Sequence, residues 1–274
     1  MDDLTKRYLR QQLEIGGREV VLGRDPGGGN PAESLAPRQQ KSGRRPAQTP
    51  EPAGATTPAP ATAKDWRIGA PPIPGPGITI PGGDRDPATS GQWSTLAQIA
   101  EAVARCRSCP LCQGRTNVVP GEGNPVARLV LVGEGPGQTE DETGRPFVGR
   151  AGELLTGILG AIGLARDEVF ICNVVKCRPP QNRKPLPDEI GACDPYLQAQ
   201  LELIRPKVIL ALGATAAEAL LRAKRSLADL RGKVHSYRGT PLVVTYHPAA
   251  LLRNPNWKKP TWDDVRIARQ LLDA

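Results

Sequence analysis

The chain is 274 residues long with a net charge of +8 at pH 7, and its 29 prolines and 30 glycines are unevenly spread. Residues 1–90 hold 14 of those prolines and 13 of those glycines with no repeating period, a composition that excludes a packed core of their own. Asp2 and Asp3 open the chain and no continuous apolar run follows, so neither a signal peptide nor a membrane anchor is expected, and the protein should be cytoplasmic.

In chain order, residues 4–13 have the spacing of a short helix. Residues 46–63, mainly Pro, Ala, Thr, Gln and Gly, offer almost nothing apolar against a backbone ordering cost of about 1–2 kcal/mol per residue. Trp66-Arg67-Ile68 is an isolated apolar spot in a Pro-Gly tract, read as solvated linker, with docking on a protein partner as its other use. The chain therefore divides into a largely disordered extension, residues 1–90, and one folded domain, residues 91–274. Thr95 opens a Thr-x-x-Gln capping box, and Leu96, Ile99, Ala100 and Val103 recur at helical spacing, which predicts a helix to about Arg105. Four short apolar runs follow: Leu129-Val130-Leu131-Val132, Val169-Phe170-Ile171, Val208-Ile209-Leu210-Ala211-Leu212 and Leu242-Val243-Val244. Such runs mark strands buried on both faces. Helical patterns over 151–162, 187–204, 215–222 and 263–272 lie between and after them. The alternation predicts a three-layer α/β/α fold around a central, mostly parallel four-stranded sheet.

Sheets of this class bind ligands at the carboxyl ends of their strands. The residues there are Gly133-Glu134-Gly135-Pro136-Gly137, Asn173, Gly213 and Tyr246-His247-Pro248. The glycine loop lacks the Gly-Lys-Ser/Thr of a P-loop and the spacing of a dinucleotide fingerprint, and the acidic Glu140, Asp141 and Glu142 behind it would repel phosphate. His247, one of two histidines, shares the predicted sheet end with Glu134 and Asn173. Behind it, Leu251 and Leu252 are apolar wedge candidates beside Arg253, a mixture suited to a loop that enters a DNA duplex. His235 lies elsewhere and is expected to be structural. Residues 91–274 carry 24 Lys and Arg against 18 Asp and Glu, an excess that suits a polyanionic partner.

Taken together, Gly133-Glu134-Gly135-Pro136-Gly137-x-x-Glu140-Asp141, Gly144-Arg145-Pro146-Phe147-Val148-Gly149, Asn173-Val174-Val175-Lys176-Cys177-Arg178-Pro179-Pro180 and His247-Pro248 with Leu251-Leu252-Arg253 resemble the ordered motifs of the family 4 uracil-DNA glycosylases. The resemblance runs from about Ala104 to the carboxy terminus. It implies a DNA-repair glycosylase that flips uracil from the stack and hydrolyses its N-glycosidic bond, leaving an abasic site with the strand intact. By the same resemblance, the Asn173 amide reads the uracil edge and Phe147 stacks on the ring. Glu140 lies beside C5 and excludes the thymine methyl. His247 and backbone N–H groups of the Gly133 and Gly135 loop steady the leaving uracil anion, and Glu134 orients or activates water. Some other uracil glycosylases carry an aspartate where this loop has Gly135, which leaves the water-activating group open.

Six cysteines without a secretory signal are not expected to form disulfides. Cys106-x-x-Cys109-x-x-Cys112, with Cys172, Cys177 and Cys193 further on, allows zinc or an iron–sulfur cluster, since both take four thiolates. The resemblance implies that Cys106, Cys109, Cys177 and Cys193 hold a structural [4Fe–4S] cluster. Cys112 is the alternative to Cys109, and Cys172 reads as a small buried hydrophobe. Lys176, Arg178, Arg183 and Lys184, between two of those ligands, form a predicted phosphate-contacting surface. Some relatives bind uracil-DNA covalently through a histidine in this region; residues 176–193 contain none, so ordinary turnover is expected. The expected partner is uracil-containing DNA, with no membrane, and the expected state is a monomer. Two other classes remain in view: a metal-stabilised DNA-binding module without catalysis, which leaves Glu134, Asn173 and His247 without a role, and a nucleotide-binding protein, which the acidic run opposes.

Overall fold

A computed structural model describes residues 65–82 and 92–274; the predicted helix at 4–13 and the low-complexity stretch at 46–63 lie outside the described residues. The first element among the described residues is β1 (Pro76–Ile80). The helix α1 (Leu96–Arg105) starts where the capping signal puts it, with the Thr95 hydroxyl accepting from the Gln98 N–H at 3.2 Å. There follow α2 (Leu111–Gly114), β2 (Glu122–Gly123), β3 (Leu129–Gly133), α3 (Gln138–Thr143), α4 (Arg150–Ala161), β4 (Phe170–Asn173), α5 (Pro187–Ile204) and β5 (Val208–Leu212). The chain ends with α6 (Ala214–Leu221), α7 (Leu227–Leu230), β6 (Val234–Tyr237), β7 (Thr240–Thr245), α8 (Pro248–Arg253) and α9 (Lys258–Asp273).

The four predicted runs form the parallel centre of the sheet, β7-β5-β3-β4. Each is buried on both faces, because side chains alternate across the pleat. Val130, Val132, Ile209, Ala211 and Val244 meet Leu197 and Leu201 of α5 and Leu220 of α6. Leu129, Leu131, Val208, Leu210 and Val243 meet Leu155 and Leu159 of α4 and Val265 and Leu272 of α9. Each Val, Leu or Ile side chain among them contributes about 1.5–3 kcal/mol on burial. Helix α1 packs separately on α5 through Ile99, Val103 and Ala199. Because β3 has β4 on one side and β5 on the other, the loops after β3 and β5 part company at the sheet end and open a crevice there.

The sheet is larger than the sequence suggested. Among the described residues it has seven strands, in the order β1-β6-β7-β5-β3-β4-β2, with β2 and β6 antiparallel to their neighbours β4 and β7. The three additions are short and lie toward the edges, so they lack the continuous apolar run that betrays a central strand. The ordered unit also reaches back before residue 91. Trp66 is buried against the α9 side of the core, Arg266 donates to the Ile68 carbonyl at 3.2 Å, and Gln270 donates to the Pro71 carbonyl at 2.9 Å. β1 then pairs with β6, a place where Pro76 and Gly77 are tolerated because the strand is at the sheet's edge. Gly77 is required: a Cβ there would sit 2.4 Å from His235 Nδ1, the atom that accepts the Ile78 N–H at 2.9 Å. Averaged composition hid this strap, since a few well-placed apolar residues anchor an otherwise polar tract. Among the described residues no helix is long and apolar enough to cross a membrane.

Candidate active site

The crevice is a cavity of about 500 Å³ at the carboxyl ends of the parallel strands, and Glu134, Gly135, Glu140, Phe147, Asn173 and His247 all line it. Gly133 ends β3 opposite Asn173, the last residue of β4. A Cβ on Gly133 would lie 2.4 Å from Asn173 Oδ1 and 2.5 Å from Phe147 Cζ, so the glycine is what lets the amide and the ring approach the strand end. Asn173 is only 1% exposed, and its Oδ1 has no hydrogen-bond partner among the described residues. A buried carbonyl left unpaired costs about 1–3 kcal/mol. That is the signature of an acceptor held ready for a ligand.

Phe147 is fixed from its backbone. Its φ of 50° is unusual for an aromatic residue, and the first turn of α4 presses against it so closely that a Cβ on Gly152 would stand 1.8 Å from the Phe147 carbonyl oxygen. Glu140 secures the same turn from the other side. Its Oε1 accepts the Val148 and Gly149 N–H groups, each at 3.0 Å, and its Oε2 accepts the Gly137 N–H at 3.1 Å. Both oxygens are thereby committed to backbone, and Glu140 borders the cavity as a rigid wall.

His247 caps α8, its Nδ1 accepting the Ala249 N–H at 3.2 Å. An accepting Nδ1 puts the proton of the neutral ring on Nε2, so the imidazole offers a donor. Burial, with the positive charge of Arg253 acting the same way, lowers its pKa to about 4. The ring is therefore neutral at physiological pH. It lies 5.4 Å from the Phe147 ring, centroid to centroid, and Gly213, with φ of 91°, gives it room: a Cβ there would be 3.1 Å from His247 Cβ. Glu134 is held by the buried Thr215 hydroxyl, which donates to its Oε2. Thr215 escaped the sequence reading although it follows Gly213 by two residues, at the end of β5 where the strand-end rule pointed. At Gly135 a Cβ would come 2.7 Å from Val175 Cγ2, so the loop as packed has no place for an aspartate side chain.

Two expectations for the DNA-facing surface need correction. Lys176 is 1% exposed and donates inward to the Asn173 carbonyl at 2.8 Å and to Gln200 Oε1 at 2.6 Å, which removes it from the surface. Residues 248–253 form a helix rather than an open loop, so Leu251 turns inward at 1% exposed and the apolar residue presented to solvent is Leu252, 41% exposed. Arg253 is exposed and lines the cavity rim with Arg183 and Lys184. Arg178 donates to Asn182 Oδ1 at 2.7 Å, Arg183 makes a bidentate pair with Glu189, and Lys184 pairs with Glu218 at 2.8 Å. Gln181 and Asn182, both with positive φ, shape the turn that presents these cations.

Cys106 and Cys109 flank the short link between α1 and α2, while Cys177 follows β4 and Cys193 sits on α5; all six cysteines are free thiols. The four thiols lie within electrostatic range of one another: Cys106 and Cys109 push the Cys177 pKa up, and Cys177 and Cys109 push Cys193 the same way. Burial is the larger cause and takes Cys193 to about 12. Thiols so buried need cationic or metal neighbours to ionise. Arg115 donates to Cys177 Sγ at 3.1 Å and the Lys176 N–H to Cys193 Sγ at 3.3 Å, both contacts that favour thiolate. Among the described residues no three His, Cys, Asp or Glu side chains converge tightly enough to hold a single metal ion. Cys172 is fully buried in β4, and Cys112 is half-buried on α2.

Residues 120–268 match the model of the uracil DNA glycosylase superfamily. The chain is 54% identical over 178 residues to a type-4 uracil-DNA glycosylase of Thermotoga maritima, covering 64% of this chain and 93% of that protein. It is 49% identical over 186 residues to a type-4 enzyme of Sulfurisphaera tokodaii, covering 65% of this chain and 84% of that protein. A type-5 uracil-DNA glycosylase of Thermus thermophilus is 35% identical over 190 residues, 54% of this chain and 84% of that protein.

Proposed function

The chain belongs to the type-4 uracil-DNA glycosylases of the uracil DNA glycosylase superfamily, DNA-repair hydrolases that cut N-glycosyl bonds, and we propose that the cavity at the end of β3, β4, β5 and β7 is where it excises uracil. The observation that carries this reading is the unpaired, buried Oδ1 of Asn173. Once the nucleotide is flipped, Oδ1 accepts from uracil N3–H and the amide nitrogen donates to O4, a pairing that cytosine reverses. Phe147 stacks on the base. Glu140, immobilised by three backbone N–H groups, walls off the space a thymine methyl needs.

Cleavage drives negative charge onto the departing base and positive charge onto the sugar. Neutral His247 donates from Nε2 to uracil O2, and the loop N–H groups at Gly133 and Gly135 supply further dipoles, so stabilisation grows with the charge. Glu134, steadied by Thr215, orients water and favours the cationic sugar. Leu252 and Arg253 meet the duplex beside the extruded nucleotide, with Arg178, Arg183 and Lys184 toward the backbone.

The cysteine set fits a [4Fe–4S] cluster held by Cys106, Cys109, Cys177 and Cys193, in that four thiols share one region with Arg115 and Lys176 as positive neighbours. When bound, the cluster supplies thiolate–iron bonds that cross-link the α1–α2 segment, the loop after β4 and α5. We place the protein in the cytoplasm, acting as a monomer, with the amino-terminal extension as the segment that would engage a protein partner.

The test is incubation of the purified protein with a uracil-containing oligonucleotide followed by alkali. Scission only after alkali supports hydrolysis to an abasic site, and retardation in a gel without scission would instead support a binding module.

A further inference from the structure

Lys176 lies between the proposed base reader and the proposed cluster ligands, and every polar group it owns points inward. Its N–H donates to Cys193 Sγ at 3.3 Å, and its carbonyl accepts the Val119 N–H at 2.8 Å. The side chain turns back three residues to the Asn173 carbonyl at 2.8 Å and also reaches Gln200 Oε1 at 2.6 Å; Gln200 in turn donates to the Pro120 carbonyl at 2.7 Å. Two of the three ammonium N–H groups are thus taken up by neutral oxygens. No carboxylate pairs with it among the described residues, although it is 1% exposed. A buried cation is costly unless an anion compensates it. The groups that adjoin it are thiols: Cys177 follows it directly in the chain, and Cys193 Sγ accepts its backbone N–H. Cys193 is a proposed cluster ligand, and a cubane with four thiolates is anionic.

We propose that Lys176 is a positioning residue that serves as counter-ion to the iron–sulfur centre and, through its bond to the Asn173 carbonyl, fixes the amide that reads uracil. The cross-link contributed by the cluster is then electrostatic as well as covalent. Cluster loss leaves the ammonium uncompensated beside the strand end, and the grip on Asn173 loosens with it. This inference rests on the glycosylase reading and on the cluster assignment, and its test separates the failures.

The variants are Lys176→Met, which keeps the volume and removes the charge, and Gln200→Leu, which keeps the charge and loosens the lysine. Purified holoproteins are compared by redox titration of the visible absorbance and by steady-state excision. In Lys176→Met the midpoint potential moves to more negative values, because a cation near the centre favours its reduced form, and kcat/KM falls on the order of 10-fold. In Gln200→Leu the potential holds and kcat/KM falls by less. Failure of Lys176→Met to load a cluster supports the counter-ion role, and Gln200→Leu then decides the Asn173 half. Unchanged potential and unchanged excision in Lys176→Met overturn the inference. A colourless wild type, or one without excision, overturns the readings beneath it instead.

Discussion

At the scale of single residues, the candidate site holds groups in states they would not adopt in water. His247 is the clearest case: its Nδ1 is tied to the Ala249 N–H and its pKa sits near about 4, so the donor on Nε2 is present across the neutral range. Its folded pKa lies below the ordinary histidine value, so the working form persists above that value and is lost only as pH falls through about 4. The pH profile of kcat should therefore show no inflection from His247 between roughly 6 and 7, and His247→Ala should lower kcat by about 100- to 1000-fold, the loss typical of a missing anion-stabilising donor. A histidine-dependent inflection near neutrality would show that the ring works as a cation. Gly152→Ala should disable the enzyme from outside the cavity, since its Cβ would fall 1.8 Å from the Phe147 carbonyl oxygen; wild-type excision by that variant would mean Phe147 need not stay where it is. The sequence singled out Asn173, His247 and Glu134 by strand ends and Phe147 by family resemblance, and the structure lines one cavity with all four. The sequence could not reveal that Lys176 turns inward or that Leu251 does, because a basic residue beside a pocket reads the same whether its side chain points to solvent or to a carbonyl.

Among the elements, the parallel strands announced themselves through unbroken apolar runs, and the helices through their period and caps. The edge strands did not. β6 is Val-His-Ser-Tyr and β1 begins Pro-Gly, and each finds its place only through tertiary partners. His235 is the link between them: its Nδ1 accepts from Ile78, and its Nε2 bonds the Leu230 carbonyl at 2.7 Å, an arrangement that uses the neutral ring. Burial lowers its pKa, so this clasp contributes fully above the ordinary histidine range of about 6.5 and is lost as pH drops through the lower folded value. Protection factors for hydrogen exchange at Ile78 and Val234, corrected for the intrinsic pH dependence, should accordingly fall at acidic pH before those of the central strands, and simultaneous loss everywhere would contradict a local clasp. Gly77→Ala, with its Cβ 2.4 Å from His235 Nδ1, should cost roughly 1–3 kcal/mol and lower Tm by several degrees while leaving excision intact.

At the scale of the molecule, a basic domain carries the crevice at the sheet end. The excess charge on residues 91–274, 24 Lys and Arg against 18 Asp and Glu, makes substrate affinity salt-dependent, as phosphate contact requires. Cys177→Ala should bleach the brown colour expected of the proposed cluster and lower Tm; a colourless, zinc-loaded wild type would refute the cluster. The boundary at residue 91 was read from average composition, which conceals a strap such as 65–82 anchored by Trp66 and by a few backbone carbonyls, and the four-stranded sheet was read from apolar runs that the short edge strands lack. The central claim is that one side-chain amide recognises the extruded base, and a single comparison tests it most directly: excision from a uracil-containing duplex by wild type and by Asn173→Ala, with circular dichroism to confirm equal folding. Wild type should release uracil while the folded variant loses activity by roughly 100-fold or more, as expected when a buried polar reader is removed. Release at the wild-type rate by Asn173→Ala would contradict the account.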